Sequence, residues 1–283
     1  SRPEVVTLGA WLDQYTAGRG DVKASTATVY AHTKRNLVDY FGAERSLSSI
    51  TQGDADSFAV FLRTAANVKK SANDKNPLAL ADNTARRRLG IAKQFFRATV
   101  RRRLIGENPF DGQVSTVRAN PKREHFVTVA EAQAVLDKLP SASWRLAFAL
   151  IRYAGLRCPS EVLRLTWGDV SWDRERFTVH ASKTEHHADA GIRVVPIFPE
   201  LAPYFREAFE AAEPGAVYCC PRYPMHFAGQ MYNKTVKAAC KAAGVKPWPK
   251  LFQNCRSTRE TELAERWPVQ VVCSWIGNSP QVA

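Results

Sequence analysis

The segment Ala154-Gly155-Leu156-Arg157-Cys158-Pro159-Ser160-Glu161 is where this 283-residue chain most directly suggests chemistry. Gly155 permits a tight turn and Pro159 suits the first turn of a helix, so Arg157 is expected to project from a rigid helix start. An arginine held that way suits a phosphate clamp, because its planar fork donates two hydrogen bonds and keeps its charge. A second basic feature is extended. Arg86, Lys93, Arg97 and Arg101 recur at i, i+7, i+11 and i+15, which stacks them on one stripe of a helix. From Arg86 to Arg103 there are eight Lys or Arg and no acid, whereas a face held by ion pairs mixes signs.

Other chemistries find little support. The sequence has no Walker loop and no carboxylate cluster suited to two magnesium ions. Six cysteines, at 158, 219, 220, 240, 255 and 273, form no CxxC pair and no Cys/His zinc-finger spacing. Reduced, buried thiols are expected. His186, His187 and Asp189 share a polar turn, where adjacent side chains are poorly placed to converge on one ion. No metal and no cofactor is expected.

The elements that must position these residues are mostly helical. Leu8, Trp11, Leu12 and Tyr15 fall at helical spacing, and a second helix after Ser25 carries Val29, Leu37 and Tyr40 as far as Gly42. Asp54–Ala65 reads as a third, with Phe58, Phe61 and Leu62 on one face. After a polar loop at Asn67–Asn76, a long helix is predicted from Thr84 to about Leu104, burying Leu89, Ala92, Phe96 and Thr99 or Val100. Asp111–His125 is polar and aperiodic, as expected of a linker. Thr128 and Glu131 form a capping box that starts the next helix, and Ser143–Tyr153 reads as a more buried one. Arg176–Ala181 and Ile192–Ile197 alternate as a β-hairpin. Helices are predicted again at Leu201–Ala212, Met231–Ala243, Ser257–Glu265 and Val269–Trp275.

Lys and Arg total 40 against 27 Asp and Glu, a formal net charge of +13. Dividing the chain at Asn120 leaves +8 before and +5 after, so the excess is not a detachable tail. A polyanionic partner follows, with nucleic acid favoured over a membrane because no basic amphipathic anchor and no apolar run of roughly 18 residues appears. A soluble protein that is merely basic accounts for the charge alone. A helical transcription regulator also accounts for it, but not for the ordered motifs that follow.

The stretch from Ala154 to Asp169, with Arg157, Glu161, Trp167 and Asp169, closely resembles the first conserved box of the tyrosine recombinase (phage integrase) family. In that family a catalytic lysine follows in a β-hairpin, and Lys183 lies at the predicted hairpin turn. The second box is His-x-x-Arg; here it is Gln253-Asn254-Cys255-Arg256, with Gln253 at the usual histidine and Arg256 as the second phosphate-binding arginine. Arg259 is the alternative register. The third box, Trp275-Ile276-Gly277-Asn278-Ser279, has Asn278 where His or Trp is usual. The family's tyrosine nucleophile follows roughly nine residues later, beyond Ala283. Truncation before that tyrosine is the expectation, and natural loss, giving a catalytically degenerate DNA-binding protein, is the alternative.

The resemblance implies a mainly α fold with a small antiparallel β-sheet, arranged as a two-domain DNA clamp. Residues 1–112 would form a helical, SAM-like core-binding domain, 113–125 a linker and 126–283 the catalytic domain. In such enzymes the tyrosine attacks a phosphate and leaves a 3′-phosphotyrosyl link, without metal or nucleotide. Arg157 and Arg256 would stabilise the growing charge, Lys183 would act as general acid, and Gln253 and Asn278 would offer hydrogen bonds but no proton exchange. Arg86, Lys93, Arg97 and Arg101 would face DNA phosphates. The partner implied is double-stranded DNA, with a homotetramer on paired sites for the full-length protein and a monomer for this chain. A cytoplasmic, nucleoid-associated place in a prokaryotic or phage setting is implied as well.

Overall fold

Side-chain caps set several of the helix starts. The Thr7 hydroxyl accepts from the Ala10 N–H, Thr51 and Asp54 form a reciprocal capping box, and so do Thr128 and Glu131. The computed structural model describes residues 5–66, 78–181 and 191–278. Contacts divide the chain into two units, Ser1–Ala119 and Asn120–Ala283.

The first unit holds α1 (Leu8–Ala17), α2 (Ala24–Phe41), α3 (Gln52–Thr64) and α4 (Asp82–Arg101). On α4, Leu89, Ala92, Phe95, Phe96 and Thr99 are fully buried, a wide apolar stripe at helical spacing. Phe96 packs on Phe110 with ring centroids 4.8 Å apart, which fixes the chain just after the helix. Gln94 donates to the hydroxyls of Tyr15 and Tyr30, at 3.0 and 2.7 Å, so α4 is keyed to α1 and α2 by a polar contact as well. Val29, expected among the apolar positions of α2, is instead exposed; Tyr30 and Leu37 are buried in that helix, together with the polar Thr33 and Asn36.

The second unit holds α5 (Val129–Leu136), α6 (Ala142–Tyr153), a sheet of β1 (Val170–Ser171), β2 (Arg176–His180) and β3 (Ile192–Pro196), then α7 (Ala202–Glu210), α8 (Met225–Ala242), α9 (Leu251–Ala264) and α10 (Val269–Ile276). The sheet is antiparallel in the order β1-β2-β3, with Phe177 opposite both Val170 and Val195. Every residue from Leu146 to Tyr153 on α6 is buried, so this helix is the centre of the unit rather than a surface layer. The charge within this buried stretch, Arg152, is fully enclosed and bonds both oxygens of Glu262 on α9, at 2.9 and 2.6 Å, plus the Val127 carbonyl. A buried charge needs such pairing, and the pairing locks α6 to α9.

Three local expectations change. No helix follows Arg157: residues 158–164 form successive turns. Helix α9 starts at Leu251 rather than Ser257, because buried Leu251 and Cys255 extend its inner face behind the polar Gln253. Helix α8 likewise starts at Met225, six residues earlier than its periodicity indicated.

Candidate active site

Arg157 leaves a bend whose geometry depends on glycine. Gly155 has φ +65°, and a Cβ there would lie 2.5 Å from Ile276 Cδ1, so α10 closes directly onto the bend. Glu161 then fixes Arg157 twice, accepting from its backbone N–H at 2.8 Å and from Nη1 at 2.7 Å. The arginine is therefore held by turn and carboxylate, not by the helix start that the sequence suggested.

Glu161 is 2% exposed and has a second partner. Arg193, reaching in from β3, donates from Nη1 and Nη2 to both its oxygens at 2.9 and 2.7 Å, and from Nε to the Trp275 carbonyl at 2.7 Å. Burial pushes the Glu161 carboxyl up, but the bonds from Arg193 and then Arg157 outweigh it and hold the group below the usual carboxylate range.

Arg256 projects from α9 and donates to the Gly155 carbonyl at 2.5 Å and to Asn278 Oδ1 at 2.6 Å. Burial and the nearby Arg157 bring its guanidinium down to about 10, which leaves it charged at neutral pH. Gly277 ends α10 with φ +78°, and this turn returns the chain to the arginines. The Gly277 carbonyl accepts from Arg157 Nη2 at 2.5 Å, and Asn278 Oδ1 lies 3.5 Å from the same nitrogen. Asn278 Nδ2 donates to Glu260 Oε1 at 2.7 Å.

The structure thus brings together Arg157, Arg256 and Asn278 from three separate stretches of chain. Gln253 lies one turn before Arg256 on the same face of α9, exposed and without a hydrogen bond among the described residues. Lys183 lies outside the described residues, as do His186, His187 and Asp189. A cleft of about 630 Å³ is lined by Ala181 and Gly191 together with Arg157, Arg193 and Asn278. Arg259, the alternative register, is buried against Phe198 and paired with Glu200 and Glu262.

Sequence reasoning missed Arg193 and Glu260. Glu260 had a signal, since it follows Arg256 by one turn of helix. Arg193 had none beyond a charge in an otherwise apolar strand.

The basic stripe on α4 is largely engaged within its own unit. Arg86 is buried and bonds Asp82 at 2.6 Å and the Thr116 carbonyl at 3.2 Å. Lys93 donates to the Asp111 carbonyl at 2.8 Å, and Asn83 exchanges two bonds with the Arg118 backbone. The segment from Asp111 to Arg118, expected to be linker, therefore runs along the first half of this face. Arg97 and Arg101 remain exposed beyond it. Arg86, expected to face a DNA phosphate, is thus buried and engaged within its own unit.

Among the described residues no His, Cys, Asp or Glu side chains gather as a metal site, and no helix is long and apolar enough to cross a membrane.

Comparison with solved structures gives the same architecture. The chain matches a crystal structure of a lambda integrase dimer bound to a COC' core site with TM-score 0.75 and 18% identity, covering 98% of this chain and 97% of that one. It matches the Tn1549 transposon integrase in complex with a circular intermediate DNA with TM-score 0.70 and 18% identity, covering 98% and 93%. A lambda integrase tetramer bound to a Holliday junction matches with TM-score 0.73 and 18% identity, over 97% and 78%. No curated protein sequence matches. The phage integrase SAM-like domain model covers residues 7–117, and the phage integrase family model covers 125–278, from the loop before α5 to Asn278. With more than half its length under that second model, the chain belongs to the phage integrase family, the tyrosine recombinases.

Proposed function

We propose that the chain binds duplex DNA and supplies the phosphate-handling part of site-specific strand cleavage and rejoining through a 3′-phosphotyrosyl intermediate. The observation that carries this reading is the convergence of Arg157 and Arg256 on one oxygen, Asn278 Oδ1, beside an open cleft. Two guanidinium groups meeting at one acceptor suit the non-bridging oxygens of a phosphate that gains charge during attack. Each such donor is worth about 2.7–4 kcal/mol of transition-state stabilisation.

In this reading Lys183 protonates the departing 5′-oxygen as general acid, and Gln253 donates a hydrogen bond to the phosphate. Exposed Arg97 and Arg101 rest on the DNA backbone, with Lys93 at the edge of that face. The nucleophilic tyrosine, on the family's spacing, lies past Ala283. The relatives' dimer and tetramer on DNA support a homotetramer on paired sites, and in this reading the chain is a monomer when DNA is absent. A second reading, DNA binding without cleavage, is favoured by one observation: Asn278 turns an acceptor, not a donor, toward the arginines.

The test uses a chain continued through the tyrosine and a nicked suicide substrate bearing a site selected by binding. The expected result is a covalent protein–DNA adduct, lost in Arg157→Ala and Arg256→Ala. Tight binding with no adduct overturns the cleavage reading in favour of the second.

A further inference from the structure

Asn278 sits between two cations and one carboxylate, and that placement allows its amide only one orientation. Oδ1 faces Arg256 Nη2 at 2.6 Å and Arg157 Nη2 at 3.5 Å, and guanidinium nitrogens only donate. Nδ2 faces Glu260 Oε1 at 2.7 Å, and an ionised carboxylate only accepts. Turned over, the amide would set NH2 against guanidinium and oxygen against carboxylate. Helix α9 supplies both Arg256 and, one turn on, Glu260, so the arginine and the group that orients its partner move as one rigid piece.

We propose that Glu260 is a positioning residue of the phosphate site: it fixes Asn278 with its acceptor inward, so that Asn278 Oδ1 occupies the place of a phosphate oxygen until an anion displaces it. This rests on the reading of Arg157 and Arg256 as a phosphate-binding pair. An arriving phosphate must displace that oxygen or turn the amide over, and turning it breaks the bond to Glu260. Without Glu260, the amide is free to rotate and offer its own N–H groups to the anion. Glu260 therefore acts through Asn278, and its influence must vanish when Asn278 is gone.

The test is a titration of the ¹⁵N-labelled chain with inorganic phosphate, followed through the side-chain N–H resonances of Arg157, Arg256 and Asn278. Glu260→Ala is expected to tighten binding about tenfold, the order of one hydrogen bond to a charged group. Asn278→Ala is expected to tighten it similarly, and adding Glu260→Ala to Asn278→Ala to change it less than about twofold. Glu260→Met, which keeps the side-chain bulk but offers Asn278 no oxygen acceptor, replaces Glu260→Ala if the latter unfolds. Equal affinity in wild type and Glu260→Ala overturns the proposal. So does equal tightening in both backgrounds, because the carboxylate would then act only as a distant charge. Failure of every variant to bind phosphate overturns the arginine-pair reading itself, and this proposal with it.

Discussion

Arg193 grips both oxygens of Glu161, and that same carboxylate holds Arg157 by its backbone and its side chain. A residue on β3 thus sets the position of an arginine on a distant bend through one buried anion. Arg193 also bonds the Trp275 carbonyl at the end of α10, so it ties together the two elements that deliver Arg157 and Asn278.

Removing Arg193 should cost stability first. Breaking a buried ion pair costs about 3–5 kcal/mol, and the lower end applies because Arg157 still faces Glu161. Arg193→Met is expected to lose about 3 kcal/mol in urea unfolding. Arg193→Lys, which keeps the charge but not the two-pronged geometry, is expected to lose about 1 kcal/mol. A loss under about 1 kcal/mol in Arg193→Met would contradict the pairing.

The same carboxylate sets an acid limit. The folded Glu161 titrates below its ordinary 4.5, so on acidification the unfolded chain takes up the proton first. Its contribution is fully present above about 4.5 and is lost as the pH falls through the lower folded value. Unfolding free energies of wild type and Glu161→Gln, measured from pH 7 to pH 3, should therefore converge as the pH drops. A gap that stays constant would mean that Glu161 does not titrate in this window.

Gly155 should tolerate no side chain. Gly155→Ala places a methyl 2.5 Å from Ile276 Cδ1 at φ +65°. The left-handed backbone costs roughly 1–2 kcal/mol and the overpacking roughly 1–3. Adding Ile276→Val removes the colliding carbon and should recover the packing part alone. Full recovery in the double variant would show that backbone strain is absent.

Along α4, two arginines should separate by phenotype. Arg86→Ala removes bonds to Asp82 and the Thr116 carbonyl, so it should lower the melting temperature. Arg97→Ala should leave the melting temperature unchanged and flatten the log–log salt dependence of DNA binding by about 0.9, the loss of one neutralised phosphate. Calorimetry and salt-series binding on both variants check this; the reverse pattern would return the phosphate contact to Arg86.

Much was legible in the sequence because it depends on neighbours close along the chain. Apolar spacing located α1, α3 and α4, and the Thr128–Glu131 box marked the start of α5. Alternation located β2 and β3, while two-residue β1 was too short to carry a pattern. The ordered Arg157, Gln253, Arg256 and Asn278 motifs identified the family before any distance was known.

Tertiary structure decided what those residues face. The same i, i+7, i+11 spacing that suggested a DNA-facing stripe also fits a helix face covered by its own chain, and only the path of Asp111–Arg118 distinguishes the two. An arginine in an apolar strand does not announce that its partner is Glu161, nor does Asn278 announce that Glu260 will turn its oxygen inward. Helix and hairpin signals arise from local backbone and burial periodicity, which a sequence carries directly. Hydrogen-bond polarity across the site arises from side chains brought together by folding, up to 121 positions apart in the chain, and only packing determines which donor meets which acceptor.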